Sequence, residues 1–206
     1  MPTPEESVDD MAAVELANRE QVEGGDEEPY PAGKGDGAEQ DEFTAGKAAG
    51  EQLAKDGGKV AICVNQEVGN VSLDQRCEGF AEGFGGQVEV VPTQNDPAEV
   101  QSKIQAALTS NPDIDTVLGL GASLVGEPAL KAVEAVGRTG DVKIATFDLS
   151  ATFLEAVAEG KATFAIDQQQ FLQGYLPVVF LSLNADYGLI PGGNVPSGPN
   201  LVTQET

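Results

Sequence analysis

The sequence contains no histidine and no tryptophan. Without an imidazole, every mechanism that relies on a histidine base, acid or metal ligand is excluded. The two cysteines are too few to form a thiolate zinc site by themselves. Positive charge is scarce: 11 Lys and Arg stand against 34 Asp and Glu, a net charge of −23 at pH 7. Nucleic acid and anionic membrane surfaces need a basic footprint, so neither is expected as a partner. No apolar run reaches spanning length, and no basic-then-apolar opening resembles an export signal. If Met1 is the true start, the expectation is a cytoplasmic chain.

What is present suits one domain with a tail. The 206 residues are 40% apolar, enough for a core. Through Glu42 there are 14 acidic residues against 2 basic ones; from Phe43 onward there are 20 against 9. The acidic excess is therefore part tail and part solvated surface, of a kind suited to a high-salt medium that screens repulsion. Residues 1–40 are rich in Glu, Asp, Gly and Pro, with one short helical pattern at Met11-Ala-Ala-Val-Glu-Leu-Ala. Such a composition buries too little apolar surface to offset ordering the chain. An acidic, largely disordered segment over 1–40 and an α/β domain over 41–206 are expected.

From Glu42 the pattern is regular. Phe43, Ala45, Ala49, Leu53 and Ala54 form a helical stripe stopped by Gly57-Gly58. Strands follow at Val60–Asn65, Val88–Val91, Thr116–Leu120, Val142–Phe147 and Ala162–Ile166. Between them helical spacing runs from Val71 to Phe84, from Asp96-Pro97 through Leu108, over Ser123–Val136 and over Ala151–Ala158. A long helix from Gln169 to Tyr187 closes at Gly188, and Ile190–Thr206 reads as loop with one short strand near Leu201-Val202. Strands alternating with helices at this spacing imply right-handed parallel crossovers. The predicted architecture is a three-layer αβα domain around a doubly wound, mainly parallel five-stranded sheet.

In such sheets ligands gather at the carboxyl ends of the strands. Asn65, Gln66 and Glu67 stand there after the first strand, with Arg76 further along the next helix. Gln94, Asn95 and Asp96 follow the second, Gly121-Ala122-Ser123 the third, Asp148 and Ser150 the fourth, Asp167 and Gln168 the fifth. Amides, carboxylates and one guanidinium, with no nucleophile-base pair, suit a hydroxyl-rich ligand rather than catalysis. Each residue also has a plainer reading. Asp148 or Ser150 can cap the next helix, Arg76 can sit on the surface paired with Asp74 or Glu78, and Phe171, Tyr175 and Leu176 read as core. Cys63 and Cys77 are either a disulfide or two small buried apolar residues. Gly119-Leu120-Gly121 lacks the third glycine of a dinucleotide loop, with Leu124 in its place, and no phosphate-cradling Gly-Lys-Ser/Thr run occurs. No cofactor and no metal are expected.

Six segments carry a resemblance: Gly58-Lys59-Val60-Ala61-Ile62, Arg76-Cys77-Glu78-Gly79-Phe80, Pro112-Asp113-Ile114-Asp115, Ala129-Leu130-Lys131-Ala132-Val133, Phe147-Asp148, and Asp167-Gln168-Gln169 with Gln173-Gly174-Tyr175. In order and spacing the chain, from about residue 40 to its end, resembles the substrate-binding proteins of bacterial sugar importers, the ribose-binding-like type I periplasmic binding proteins. The resemblance implies an extracytoplasmic, non-enzymatic clamshell that closes on a monosaccharide or related polyol and delivers it to an ABC permease. It implies sugar contacts at Arg76, Asp148 and Gln168, beside the rim residues Asn95 and Gln66. Gly121-Ala122 stand where the family often has Asn-Asp, which implies a ligand other than ribose or galactose.

In that family a first lobe precedes the Glu42 helix, where only the acidic segment stands here. A truncated form with weakened binding is therefore expected. The long helix would lose its usual sheet along Phe171, Leu172, Leu176, Val179, Phe180 and Leu183. That face calls for cover from the remaining sheet, a second copy, or a separately encoded lobe. The alternative reading is an effector-sensing domain of a lactose-repressor-type regulator. It needs a helix-turn-helix ahead of it, which the glycine-rich acidic start does not offer.

Overall fold

The computed structural model describes residues 37–189 and 191–206. The expected disordered segment falls outside these up to residue 36, as does the helical pattern at Met11. Ala38–Glu39, at the end of that segment, is a short strand, β1.

Four helices start on a side chain that satisfies a free backbone amide. The Asp41 carboxylate accepts from Thr44 N at 2.6 Å to open α1, Glu42–Lys55. Asn70 accepts from Ser72 N to open α2, Val71–Phe84, which Gly85 closes in the left-handed conformation (φ 64°). Asp96 with Pro97 opens α3, Pro97–Ser110, and Ser150 opens α5, Ala151–Ala158. Between these helices lie β2 (Val60–Asn65), β3 (Gln87–Pro92), β4 (Thr116–Gly119), β5 (Lys143–Phe147) and β6 (Phe164–Asp167).

The helix expected over Ser123–Val136 is two pieces: a wide π-helical turn at Ala122–Gly126, then α4, Glu127–Ala135. The Gly121 carbonyl accepts from both Val125 N and Gly126 N, at 2.9 and 3.0 Å, which widens the turn. Gly126 lies against the Phe153 ring, where a β-carbon would be crowded. Wide turns of this kind concentrate near functional sites.

With β7 at Val195–Pro196 and β8 at Asn200–Val202, the main sheet has six strands in the order β3-β2-β4-β5-β6-β8. Five are parallel, as expected, and β8 (Asn200–Val202) adds an antiparallel edge, Leu201 opposite Ile166. The short strand expected near Leu201-Val202 is this sixth strand, one more than the five-stranded sheet expected; the free edge of β6 gives it a ladder to join. Alternate residues face opposite sides. Ile62, Val117, Ile144 and Ala165 join Val100, Ile104, Val133 and Phe153 from α3, α4 and α5. Cys63, Leu118, Phe147 and Ile166 join Leu53, Cys77, Phe80 and Phe84 from α1 and α2. These are the three layers. Asp115 pins the amino ends of β2 and β4 by accepting from Lys59 N, Val60 N and Thr116 Oγ1. Burial pushes its carboxyl up, yet those hydrogen bonds prevail and hold it below the ordinary value.

The last helix, α6 (Gln170–Tyr187), buries no residue. Phe171 is 79% and Val178 66% exposed, and Tyr175 stacks on Phe171 in the open. The expectation that Phe171, Tyr175 and Leu176 belong to the core is corrected: Phe171 and Tyr175 are exposed and Leu176 is half-covered. Among the described residues β1 lies against the helix, and its outer apolar side chains stay exposed. Among the described residues no helix is long and apolar enough to cross a membrane.

Candidate functional site

The site begins with glycine. Gly46 and Gly50 of α1 face Gly79 and Gly83 of α2, and a β-carbon at any of the four would overlap backbone of the other helix. The two helices therefore pack backbone to backbone, and this brings the first residue of α1 to the middle of α2. The Glu42 carboxylate accepts from Arg76 Nε at 2.6 Å and Nη2 at 2.9 Å, a bidentate pair in the strong planar geometry. Arg76 is only 6% exposed, so its reading as a surface residue paired with Asp74 or Glu78 is corrected. Below it, the buried Phe147 ring lies 4.4 Å from the guanidinium carbon, a cation–π contact.

Arg76 Nη2 also donates to Gln168 Oε1 at 2.9 Å. The Gln168 amide in turn donates to Asp148 Oδ1, which accepts a second bond from Gln170 Nε2 at 2.8 Å. Arg76, Gln168 and Asp148 thus form one chain across the carboxyl ends of β5 and β6. Asp148 has φ 67° and Gln169 φ 57°, the two positive-φ non-glycine residues among those described. Such conformations cost energy and persist where surroundings hold them, often at functional sites. Here the Asp148 amide donates to Ile166 O, and the Gln169 amide donates to Asp167 Oδ1.

Beside this chain three passes of backbone are laced together. β1 pairs in parallel with β7, Val195–Pro196. Gly198 N donates to Gln169 Oε1, and Gln173 Nε2 donates to both Gln168 O and Ser197 Oγ. A recess of about 310 Å³ opens next to them, lined by Glu39, Gln40, Asp41, Glu42, Gln168 and Gln173 among others. The Asp41 carboxyl is held below its ordinary value by its hydrogen bonds to Thr44.

Gln66 lies at the switch point between β2 and β4, where strand order reverses. Its amide nitrogen stands over Gly121, 3.3 Å from where a β-carbon would be, and so fills space that a side chain there would take. Gln66 is 8% exposed, and its buried carbonyl oxygen has no hydrogen-bond partner among the described residues. A buried acceptor left so is costly unless water or a ligand supplies a donor. Asn95 is exposed beyond edge strand β3 and shares no hydrogen bond with the Arg76–Gln168–Asp148 chain. Ser150 caps α5 and donates to Glu127.

Cys63 of β2 and Cys77 of α2 form a disulfide, Cα atoms 5.8 Å apart, with both residues buried. It ties the helix that carries Arg76 to the strand that leads to Gln66. Glu42 and Gln40 were missed by sequence reasoning. The matched Gly-x-x-x-Gly spacings at 46–50 and 79–83 were the available signal for Glu42. Among the described residues no cluster of His, Cys, Asp or Glu is arranged to hold a metal ion.

A family model described as the periplasmic binding protein domain matches residues 36–187. The xylose/arabinose-binding protein XylF of Sulfolobus acidocaldarius is 26% identical over 172 residues, 78% of this chain and 42% of that protein. The solved carbohydrate transporter of Acidothermus cellulolyticus 11B, in complex with myo-inositol, is 36% identical at a TM-score of 0.75. That match covers 82% of this chain and 59% of the other. AraP, an arabinose binding protein from Geobacillus stearothermophilus, shares the fold at a TM-score of 0.70 and 20% identity, over 82% of this chain and 62% of its own. The chain therefore spans about half the length of these relatives. They are binding proteins rather than enzymes, and the regulator reading finds no support among them.

Proposed function

This chain belongs to the periplasmic binding protein domain family, and from that premise we propose that it supplies one wall of a receptor for a monosaccharide or related polyol, serving an ABC-type sugar import system. The observation that carries the reading is the hydrogen-bonded convergence of Arg76, Gln168 and Asp148, with Arg76 lying over the Phe147 ring. Asp148 accepts from ligand hydroxyls, Arg76 donates, and the Gln66 carbonyl gains the donor it lacks. A sugar missing one of those hydroxyls is rejected because a buried group is left unpaired. The 36% identical relative that holds myo-inositol supports a cyclic polyol as ligand class. Asn95 touches a ligand only at the outer rim.

The apolar face of α6 meets a complementary lobe that forms the opposite jaw of the cleft, and a permease receives the closed form. An extracytoplasmic site of action agrees with the family and with a buried disulfide, which persists in oxidising compartments. One wall cannot enclose a ligand, so this chain alone binds weakly. NMR titration of the labelled chain with myo-inositol, xylose and arabinose tests the reading. Saturable shifts at the Gln66 and Gln168 amides are expected, abolished by Asp148→Ala. Polyols that leave those amides unmoved overturn it.

A further inference from the structure

We infer that Glu42 sets the charge of ligand the site accepts: by filling the Arg76 fork it excludes anionic carbohydrates, such as uronates and aldonates, in favour of neutral ones. The inference rests on the polyol reading of the same site and adds a specificity residue to it. A buried guanidinium facing a ligand cleft is ordinarily a carboxylate receptor, because its planar donors match two carboxylate oxygens. In this chain that match is already made. Glu42 takes Nε and Nη2 at 2.6 and 2.9 Å, and Gln40 Nε2 donates to the same carboxylate at 3.0 Å and holds it there. Nη2 has a further acceptor in Gln168, which leaves Nη1 as the nitrogen with no protein partner among the described residues. One nitrogen can serve a hydroxyl, but it cannot offer the fork a carboxylate needs.

The surrounding field has the same sense. Asp148 lies at the other end of the hydrogen-bonded chain, and Glu39 and Asp41 line the adjoining recess with no basic residue among its described walls. An anionic ligand would approach carboxylates with the single cation already neutralised. Like charges brought together across a desolvated surface are strongly disfavoured. The backbone-close packing of α1 on α2 keeps Glu42 from swinging away, since Gly46 and Gly79 lock its helix at the level of Arg76.

The test is an NMR titration of the full chain, reading the Arg76 Nε–H and the Gln168 amide. The probes are D-glucuronamide and D-glucuronate, which share a shape and differ in charge. Wild type is expected to bind the amide at least about tenfold more tightly than the acid, ~1.4 kcal/mol. In Glu42→Gln, of the same size, the acid gains on the amide and the preference shrinks or reverses. Equal binding of both probes by wild type overturns the inference. So does an unchanged ratio in Glu42→Gln. If that variant fails to fold, the wild-type ratio alone decides. The two readings fail separately. If myo-inositol and glucuronamide move nothing while Glu42→Gln gains glucuronate, the polyol reading falls and the role of Glu42 stands. If polyols bind and charge makes no difference, the reverse holds.

Discussion

Helices α2 and α6 are built from similar materials and end in opposite circumstances. α2 buries Leu73, Arg76, Cys77, Gly79, Phe80 and Phe84. α6 is longer and carries Phe171, Leu172, Leu176, Val178, Val179, Phe180 and Leu181, yet buries none. Apolar content therefore does not decide burial; a fitted neighbour does. α2 has two: α1, approached through matched glycines, and β2, tied by the disulfide. Gly174 of α6 faces nothing within 4 Å, and Pro177 interrupts its hydrogen bonds at mid-length. The proposed binding residues lie along this divide. Arg76 is on α2, while Gln168 lies just ahead of α6, its side chain held by Arg76 and Asp148 and its carbonyl by Gln173.

The comparison breaks most sharply at Gly79. A β-carbon there would overlap the Phe43 carbonyl, so Gly79→Ala must force α1 and α2 apart. A loss near the upper end of the roughly 1–3 kcal/mol range for overpacking is expected, read from the urea midpoint. The companion Gly174→Ala on α6 should instead gain up to about 1 kcal/mol from helix propensity. Equal effects at the two glycines would show that the α1–α2 contact is looser than described.

A smaller effect tests how α1 is anchored. Asp41→Ala removes the cap that starts the helix bearing Glu42 and should cost about 1 kcal/mol. The Asp41 carboxyl is lowered in the folded state by its hydrogen bonds to Thr44, below the ordinary 3.8. Its contribution is thus present above that value and lost as pH falls through the lower folded one. Acid unfolding monitored by circular dichroism should lose part of its steepness below pH 3.8 in Asp41→Asn. The smallest change is expected on α6 itself. Leu181 is 70% exposed, and Leu181→Ala should shift stability by no more than about 0.5 kcal/mol. A loss several times larger would mean that α6 is covered in solution, by a second copy or another lobe.

Much of this was legible before any coordinates. Caps such as Asn70 and Asp96-Pro97, stops such as Gly85, and apolar runs of strand length locate the alternating elements, and alternation dictates a parallel sheet. Arg76, Asp148 and Gln168 could be named as candidates from the strand ends and the family resemblance, and the structure joins them in one hydrogen-bonded chain. Glu42 could not. Its role depends on two helices some thirty residues apart approaching through four glycines, and no local period records that. Gln66 spanning Gly121 is likewise a relation between two strand ends. The exposure of α6 was hidden for the opposite reason, since its pattern is that of a buried helix and exposure depends on what packs against it, which no pattern records.

Both sulfurs of the Cys63–Cys77 bond lie beneath α2, with 0% and 3% of those residues in contact with solvent. A thiolate in solution cannot reach them until that helix lifts. The oxidation state is therefore settled while the chain is still open and is afterwards shielded from later changes in redox poise. A preparation folded in a reducing host and exposed to oxidant afterwards should therefore keep both thiols, read as a mass increase on alkylation after unfolding.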